Sequence, residues 1–526
     1  MTEAPISLPF QPPRDGIAQR IRLAVHPMTV GYLPWVFFVV AAVSYYYVFL
    51  ASSGRFTDLP TQLDYYDRMA EGFRAGHLYV RKAPAASLLA SSNPFDNKYF
   101  PVWLWDASLF KSHYYMYWGP VPGLALLAFK VLTGSHETIT DQWITTLLML
   151  GRFYAATALI LSLATRTRLR QPTWLVCLAV AVFGLANPWP FTVARPHIYE
   201  GSLTGSQCFL FWGLVAVFWA IERPRWRRPL FVLASVAWAL APGCRATAFV
   251  AVPVLMLVAL TFAWSAEQSV ERPWKSRFHD LVALTAPFGV ACCAYGAYNY
   301  ARFDSFTEFG VHYQVTLQPF YGKPDFVIPN VYSYLFEPVK WSCRFPFVQI
   351  LGDRPAVSIV KLPMGYRTFE RAGGILLTAW WCWLLVIGGW HAVRQMSSRT
   401  RSVTLASAPL LTRYEAWASL SAVGCALAMV PVLTLWESSM RYVGDAMGGL
   451  VLLATLAAFG LVQRARTSPR RALGVVLRTA VVVLGVETCV VGAFAAFTSY
   501  DDPLKVQNPV LYRKLDRALS LCDKPL

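Results

Sequence analysis

Apolar runs about 20 residues long recur along the whole chain, and nothing else in it limits the fold as sharply. A run of that length crosses a bilayer as a helix, and within lipid a helix satisfies its own backbone polar groups. Eleven such runs are read, at 31–52, 142–165, 173–187, 202–221, 229–242, 246–264, 280–300, 374–393, 415–435, 446–462 and 475–497. The expectation is an all-α polytopic membrane protein, a single membrane domain over residues 1–526. Composition agrees: 56% of residues are hydrophobic and 14% charged, whereas roughly a quarter are charged in soluble domains.

The net charge of +18 does not point to nucleic acid. Its arginines sit in short clusters between apolar runs, as the positive-inside bias requires. Arg14, Arg20 and Arg22 precede the first run, placing the N-terminus in the cytoplasm and residue 54 outside. The stretch GPVPGLALLAFKVLTG (119–134) decides the rest. If it crossed, Arg166, Arg168 and Arg170 would emerge on the outer face. It is read instead as an interfacial or re-entrant helix that starts and ends outside. Every later arginine cluster then falls inside, and the tail 498–526 lies outside. The expected location is the cytoplasmic (inner) membrane, with the C-terminus periplasmic or extracellular. The first 27 residues are too polar for a signal peptide.

Most of the ten cysteines lie in apolar runs and read as small hydrophobes. Cys343 and Cys522 fall in polar segments placed outside, where an oxidising environment leaves them free to pair. There is no zinc spacing and no obvious short-period repeat. Nor are there two matched halves with broken apolar segments, the usual pointer to a secondary transporter.

Residues 54–141 form the first outer loop, too aromatic for a solvated segment and too broken by Pro and Gly for a span. In QLDYYDRMAEGF, Asp64 and Asp67 stand three apart and share a helix face with apolar neighbours on the other side. Helix capping and a solvated face would explain either residue alone. Asp106, Lys111 and Tyr117 follow in WDASLFKSHYYMYWGP. An aromatic belt explains the rings there but not the charges. Later outer segments add Arg195, His197, Tyr199 and Glu200 in ARPHIYEG, Arg245 in a short turn, and Arg441, Tyr442 and Asp445 in RYVGD. Interfacial anchoring or an internal ion pair would account for such clusters, whereas charges in or near a membrane are functional candidates by default. The outer segment 301–373 opens with Arg302, Glu308 and His312 among aromatics.

No GxSxG, P-loop, Rossmann or HExxH motif is present. Carboxylates, cations and aromatic faces gathered on one side suit a reaction on a lipid-borne phosphate. A sugar phosphate already carries a good leaving group, so one carboxylate acting as base is sufficient. Arginine or lysine would hold the departing phosphate. A glycoside hydrolase would need two opposed carboxylates.

This arrangement resembles the GT-C superfamily of membrane glycosyltransferases, which includes protein O-mannosyltransferases and the aminoarabinose transferase acting on lipid A. The likeness lies in an inside N-terminus, one span, then a large outer loop with helices along the membrane. DYYDRMAEGFRAGHLYV looks like the acidic-aromatic helix that follows the first span in that superfamily. WDASLFKSHYYMYWGPVPGLALLAFKVLTG and YNYARFDSFTEFGVHYQ look like segments of a bacterial GT-C-like group. The resemblance implies an acidic base in the first outer loop. Asp64 matches the aromatic context, but the commoner position of the carboxylate is occupied here by Thr61. Asp64, Asp67 and Asp106 therefore all stand as candidate bases. Lys111, Arg195, His197, Arg245 and Arg441 stand as candidate phosphate ligands, with Tyr117, Tyr199, Glu200, Tyr442 and Asp445 in support. Some members use a divalent metal and others do not; no ligand motif marks one here.

The expectation is an inverting glycosyltransferase using a polyprenyl-phosphate sugar donor and a lipid, glycan or protein acceptor of the cell envelope, embedded among membrane lipids. The alternatives are a transporter or flippase for a lipid-linked saccharide and a non-catalytic envelope-assembly subunit. Few charges interrupt the spans, Arg152 and Glu487 being the main exceptions.

Overall fold

A computed structural model describes residues 31–59, 63–166, 170–194, 196–265, 273–316, 321–350, 362–367, 370, 372–389, 412–499 and 502–522. The basic N-terminal segment with Arg14, Arg20 and Arg22 lies outside these residues, as do Arg168 and Arg195.

Eight helices among the described residues are long and apolar enough to cross a membrane. In chain order the helices that place the site are α1 (Leu33–Ala51), α2 (Tyr65–Arg74), α3 (Val121–Thr133), α4 (Asp141–Ala164) and α5 (Thr173–Leu185). Then come α6 (Ile198–Glu222), α7 (Arg227–Leu240), α8 (Ala248–Ser265), α9 (Trp274–Phe303) and α10 (Val327–Phe336). Helix α11 (Trp380–Gly389) is short. It is followed by α12 (Arg413–Ala426, continued by a 3-10 turn to Thr434), α13 (Met440–Thr467) and α14 (Arg471–Ala495). Two short helices follow, α15 (Pro503–Gln507) and α16 (Pro509–Leu519). Of the eleven expected spans, α5, α7 and α11 fall short of a full crossing length, with 13, 14 and 10 residues.

Burial ranks the helices. Within their most apolar windows α6 and α13 are 78% buried and α9 only 6%, so α6 and α13 form the centre and α9 a lipid-facing flank. Outward rings on α1 (Trp35, Phe37, Phe38, Tyr45) mark another such flank. Apolar side chains in those positions meet lipid tails as favourably as they would a protein core.

Several contacts bring one set of helix ends to one level. The Gln142 side chain donates to the Ala51 carbonyl at 2.6 Å, joining the end of α1 to the start of α4. Arg302 at the end of α9 donates to the Met116 carbonyl at 2.6 Å. At the other end of the bundle lie the pairs Arg166–Glu222 (2.6 Å) and Arg227–Asp280 (3.5 Å).

Residues 119–134 give a 13-residue helix, α3, about half the length of α4. The Val121 N–H donates to the Gly243 carbonyl at 3.0 Å, which docks α3 on the turn between α7 and α8. Gly119 permits this approach, since a Cβ there would sit 2.0 Å from the Gly243 oxygen. Two antiparallel hairpins complete this end of the bundle. Strand β1 (Ser108–Phe110) pairs with β2 (His113–Tyr115), and β3 (Val339–Trp341) with β4 (Val348–Ile350). Cys343 and Cys522 are disulfide-bonded, tying the β3–β4 loop to the end of the chain.

Candidate active site

The first-loop carboxylates are held in three different ways. Asp64 is the residue before α2, and its carboxylate accepts from Arg68 Nε at 2.7 Å, one turn on, in a half-buried pair. Asp67 is buried on the inner face of α2. Lys130 Nζ from α3 lies 2.7 Å from its Oδ1, and the Ile139 N–H donates to the same oxygen at 3.0 Å. The same lysine reaches Glu71 at 2.8 Å, where its ammonium holds the Glu71 carboxyl below its ordinary range. Two acidic residues one turn apart thus share one buried cation, and the cluster bolts α2 to α3.

Asp106 is different. It is 3% exposed and sits in a left-handed turn (φ 55°) just before β1. Its neighbours are mostly neutral. The Tyr199 hydroxyl donates to Oδ2, while Gln314 Nε2 (3.3 Å) and Thr316 Oγ1 (3.5 Å) approach Oδ1. Gln314 also donates to the Tyr117 hydroxyl at 3.2 Å, and burial raises the Tyr117 phenol well above its usual range. Burial lifts Asp106 to about 6, against the opposing pull of the Tyr199 hydrogen bond, Arg441 and His197. Desolvation disfavours the charged form, and neutral donors recover only part of that loss.

Tyr199 carries this carboxylate to the cations. It lies in the first turn of α6, which starts at Ile198, four residues earlier than the apolar run in the sequence. A capping box fixes that turn: the Glu200 carboxylate accepts from the His197 backbone N–H at 2.7 Å. The Arg441 guanidinium stacks over the Tyr199 ring, its Cζ 4.0 Å from the centroid. Cation–π contact of this kind is strongest when desolvated, and Arg441 is 3% exposed.

RYVGD is not a loop before a span but the first two turns of α13, which starts at Met440. Arg441 and Asp445 therefore stand one turn apart on a helix face. Arg441 pairs with Glu370 and lies 3.7 Å from Glu437, while the Ser439 hydroxyl also donates to Glu370. Burial and the neighbouring Glu370 charge push Glu437 up, against the attraction of Arg441. Arg245 forms a two-pronged pair with Asp445, Nε–Oδ1 2.8 Å and Nη2–Oδ2 2.7 Å, and Thr247 adds a donor at 3.0 Å. Its Nη1 is buried with no acceptor among the described residues. Tyr442 and Trp118 flank it, 5.5 and 5.8 Å from its Cζ, and Trp118 meets the Tyr199 ring edge-on at 5.3 Å.

The structure thus gathers Asp106, Tyr117, Tyr199, Arg245, Arg441, Tyr442 and Asp445, with His197 and Glu200 shaping the α6 start. It does not bring Lys111 to them: that side chain is exposed on the β1–β2 turn and pairs with Asp304 at 2.5 Å. Arg195 lies outside the described residues. Sequence reading passed over Gln314, Thr316, Glu370, Glu437 and Asp141. Asp141 carried one readable signal, a carboxylate at a helix start. Its carboxylate accepts the Tyr65 and Tyr66 N–H groups at 3.1 and 3.0 Å, so it caps α2 from another helix. The other four lie in polar segments with no local mark. Among the described residues no group of three His, Cys, Asp or Glu side chains is gathered to hold a metal ion.

The fold and site define a class: a polytopic helical membrane protein with a buried acid, a tyrosine and two arginines collected at one end of its bundle. No protein-family profile matches the chain, and no curated protein matches it. Among solved structures it is similar to the oligosaccharyltransferase of Archaeoglobus fulgidus in the apo form, at 12% identity and a TM-score of 0.45, over 93% of this chain and 60% of that one. The archaeal oligosaccharyltransferase AglB from the same organism, in complex with an inhibitory peptide and a dolichol-phosphate, gives the same values. ArnT from Cupriavidus metallidurans bound to undecaprenyl phosphate is similar at 12% identity and a TM-score of 0.40, over 92% of this chain and 79% of that one. These neighbours are GT-C superfamily membrane glycosyltransferases. The chain spans about 60% of the oligosaccharyltransferase's length. At 12% identity no residue role passes from them to this chain.

Proposed function

We propose that this chain is a membrane glycosyltransferase that moves a sugar, with inversion, from a polyprenyl-phosphate donor to a lipid, glycan or protein acceptor of the cell envelope. The site would face away from the cytoplasm. The observation that carries this reading is the Tyr199 ring, whose hydroxyl holds the buried Asp106 carboxyl while its face carries Arg441. Base and phosphate-binding cation are thereby fixed on opposite parts of one side chain.

In this reading the acceptor hydroxyl attacks the anomeric carbon and its proton passes to Asp106. The bond from that carbon to the phosphate oxygen breaks, and the phosphate leaves with the electron pair. Arg441 takes up the growing negative charge, and the buried, unpartnered Arg245 Nη1 offers a further donor. A base with a pKa of about 6 is ionised at neutral pH yet basic enough to share a proton in the transition state. Asp67 is already neutralised by Lys130, and Asp64 by Arg68, so both are less suited to that role.

The test is a deletion strain complemented with wild type, Asp106→Asn or Arg441→Gln, with its envelope glycans profiled by mass spectrometry. The expected result is loss of one glycan modification in the deletion, restored by wild type alone. Full restoration by Asp106→Asn would remove Asp106 as the base. An unchanged profile in the deletion would remove glycosyl transfer altogether.

A further inference from the structure

Away from the Asp106 cluster, a cleft of about 860 Å³ opens between the β3–β4 hairpin and the C-terminal helices. Its polar lining includes Arg344, Lys505, Arg513 and Asp516, three cations against one carboxylate. We propose that this cleft binds the phosphate headgroup of an anionic membrane lipid.

The walls are firmly built. The Cys343–Cys522 disulfide joins them, the Leu521 N–H donates to the Cys343 carbonyl at 2.8 Å, and the Phe345 N–H donates to Ser520 Oγ at 3.0 Å. The Phe345 ring packs against Tyr512 and Phe497, with centroids 5.4 and 5.0 Å apart. Asp516 is committed to this frame, accepting from Arg344 at 3.2 Å and from Ser520 at 2.7 Å. Lys505 and Arg513 are left with no carboxylate partner among the described residues, and both are exposed. A small anion entering the cleft meets two uncompensated cations and a third held in place by a hydrogen bond. Charge-assisted bonds to phosphate are the natural use of such a set.

The position of the cleft selects a lipid as the carrier of that phosphate. The C-terminal helices dock on the end of α1: Asn508 Nδ2 donates to the Ser53 carbonyl at 3.0 Å, and Arg55 donates to the Gln507 carbonyl at 2.5 Å. The flank of α1 below carries outward aromatic rings. Val506, Val510 and Leu521 are exposed beside the cationic residues. Apolar side chains next to lysine and arginine on a surface helix are the pattern of a segment lying at the headgroup level.

Full-length protein purified in detergent, mixed with phosphatidylglycerol or phosphatidylcholine and examined by native mass spectrometry, tests the proposal. Wild type should retain phosphatidylglycerol at least about tenfold better than phosphatidylcholine, since only the former carries net negative charge. Lys505→Gln/Arg513→Gln should lose that preference, while Arg441→Gln should keep it. Both substituted side chains are exposed, so the melting temperature of the double variant should match wild type. Equal retention of the two lipids, an unchanged preference in the double variant, or complete displacement by 10 mM inorganic phosphate would each overturn it. The last outcome would assign the cleft to free phosphate instead.

Discussion

Asp67 and Asp106 lie in the same segment between α1 and α4, both nearly out of solvent, and their surroundings are opposite in charge. Asp67 meets an ammonium from the neighbouring helix and a backbone N–H. Asp106 meets a phenol, an amide and a hydroxyl, with its nearest cation standing behind a tyrosine ring. A carboxylate paired with a lysine already has its charge met by that cation. One held by neutral donors in a dry setting has its proton affinity raised. Burial alone therefore does not mark a base; the charge of the partners does.

The sharpest way to break this contrast is to remove each charge in turn. Asp106→Asn should lower transfer by about 10²–10⁴-fold, the usual contribution of a general base, with the protein still folded. Asp67→Asn should leave transfer within a few-fold of wild type. It should instead cost about 3 kcal/mol of stability, the low end for breaking a buried pair because Glu71 stays with Lys130. Activity assays and thermal unfolding of both purified variants check the pair. If the two profiles were exchanged, the assignment would be wrong.

Asp106 itself carries the next prediction. As the proposed base, Asp106 would have to be ionised to accept a proton, so transfer should rise with pH through about 6 and level off above it. The stability effect runs the other way. The folded state holds this proton more tightly than the unfolded chain does, so stability falls as pH climbs from 3.8 to about 6, and the penalty persists above. At about 1.4 kcal/mol per unit the penalty is on the order of 3 kcal/mol. Asp106→Asn should accordingly be more resistant to unfolding than wild type at pH 8 and no different at pH 3.5. Melting curves at the two pH values decide it.

The smallest effect belongs to Lys111, read in the sequence as a phosphate ligand. Its exposed contact with Asp304 lies on a hairpin turn away from the cluster. Lys111→Ala should leave transfer and melting temperature unchanged within error, and a tenfold loss of transfer would bring it back to the site.

Much of the architecture was legible in the sequence because its causes are local and additive along the chain. Apolar transfer free energy accumulates residue by residue, so the runs at 31–52, 142–165 and 475–497 announce α1, α4 and α14. Helix starts were less legible. Hydropathy begins counting at the first apolar residue, whereas α6 and α13 open with polar turns that carry Tyr199, Glu200, Arg441 and Asp445.

The sequence by itself determined a helical membrane protein with acids, cations and aromatic rings in and beside the segments that join its apolar runs. Only the tertiary structure decided which of them meet. Tyr199 reaches Asp106 across 93 positions, Gln314 reaches it across 208, and Arg245 finds Asp445 across 200. Such pairings depend on how helices pack side by side, and no local pattern encodes a partner at that separation. The proton affinity of Asp106 arises from the same source, since it follows from the water that packing removes and the neutral donors that packing supplies.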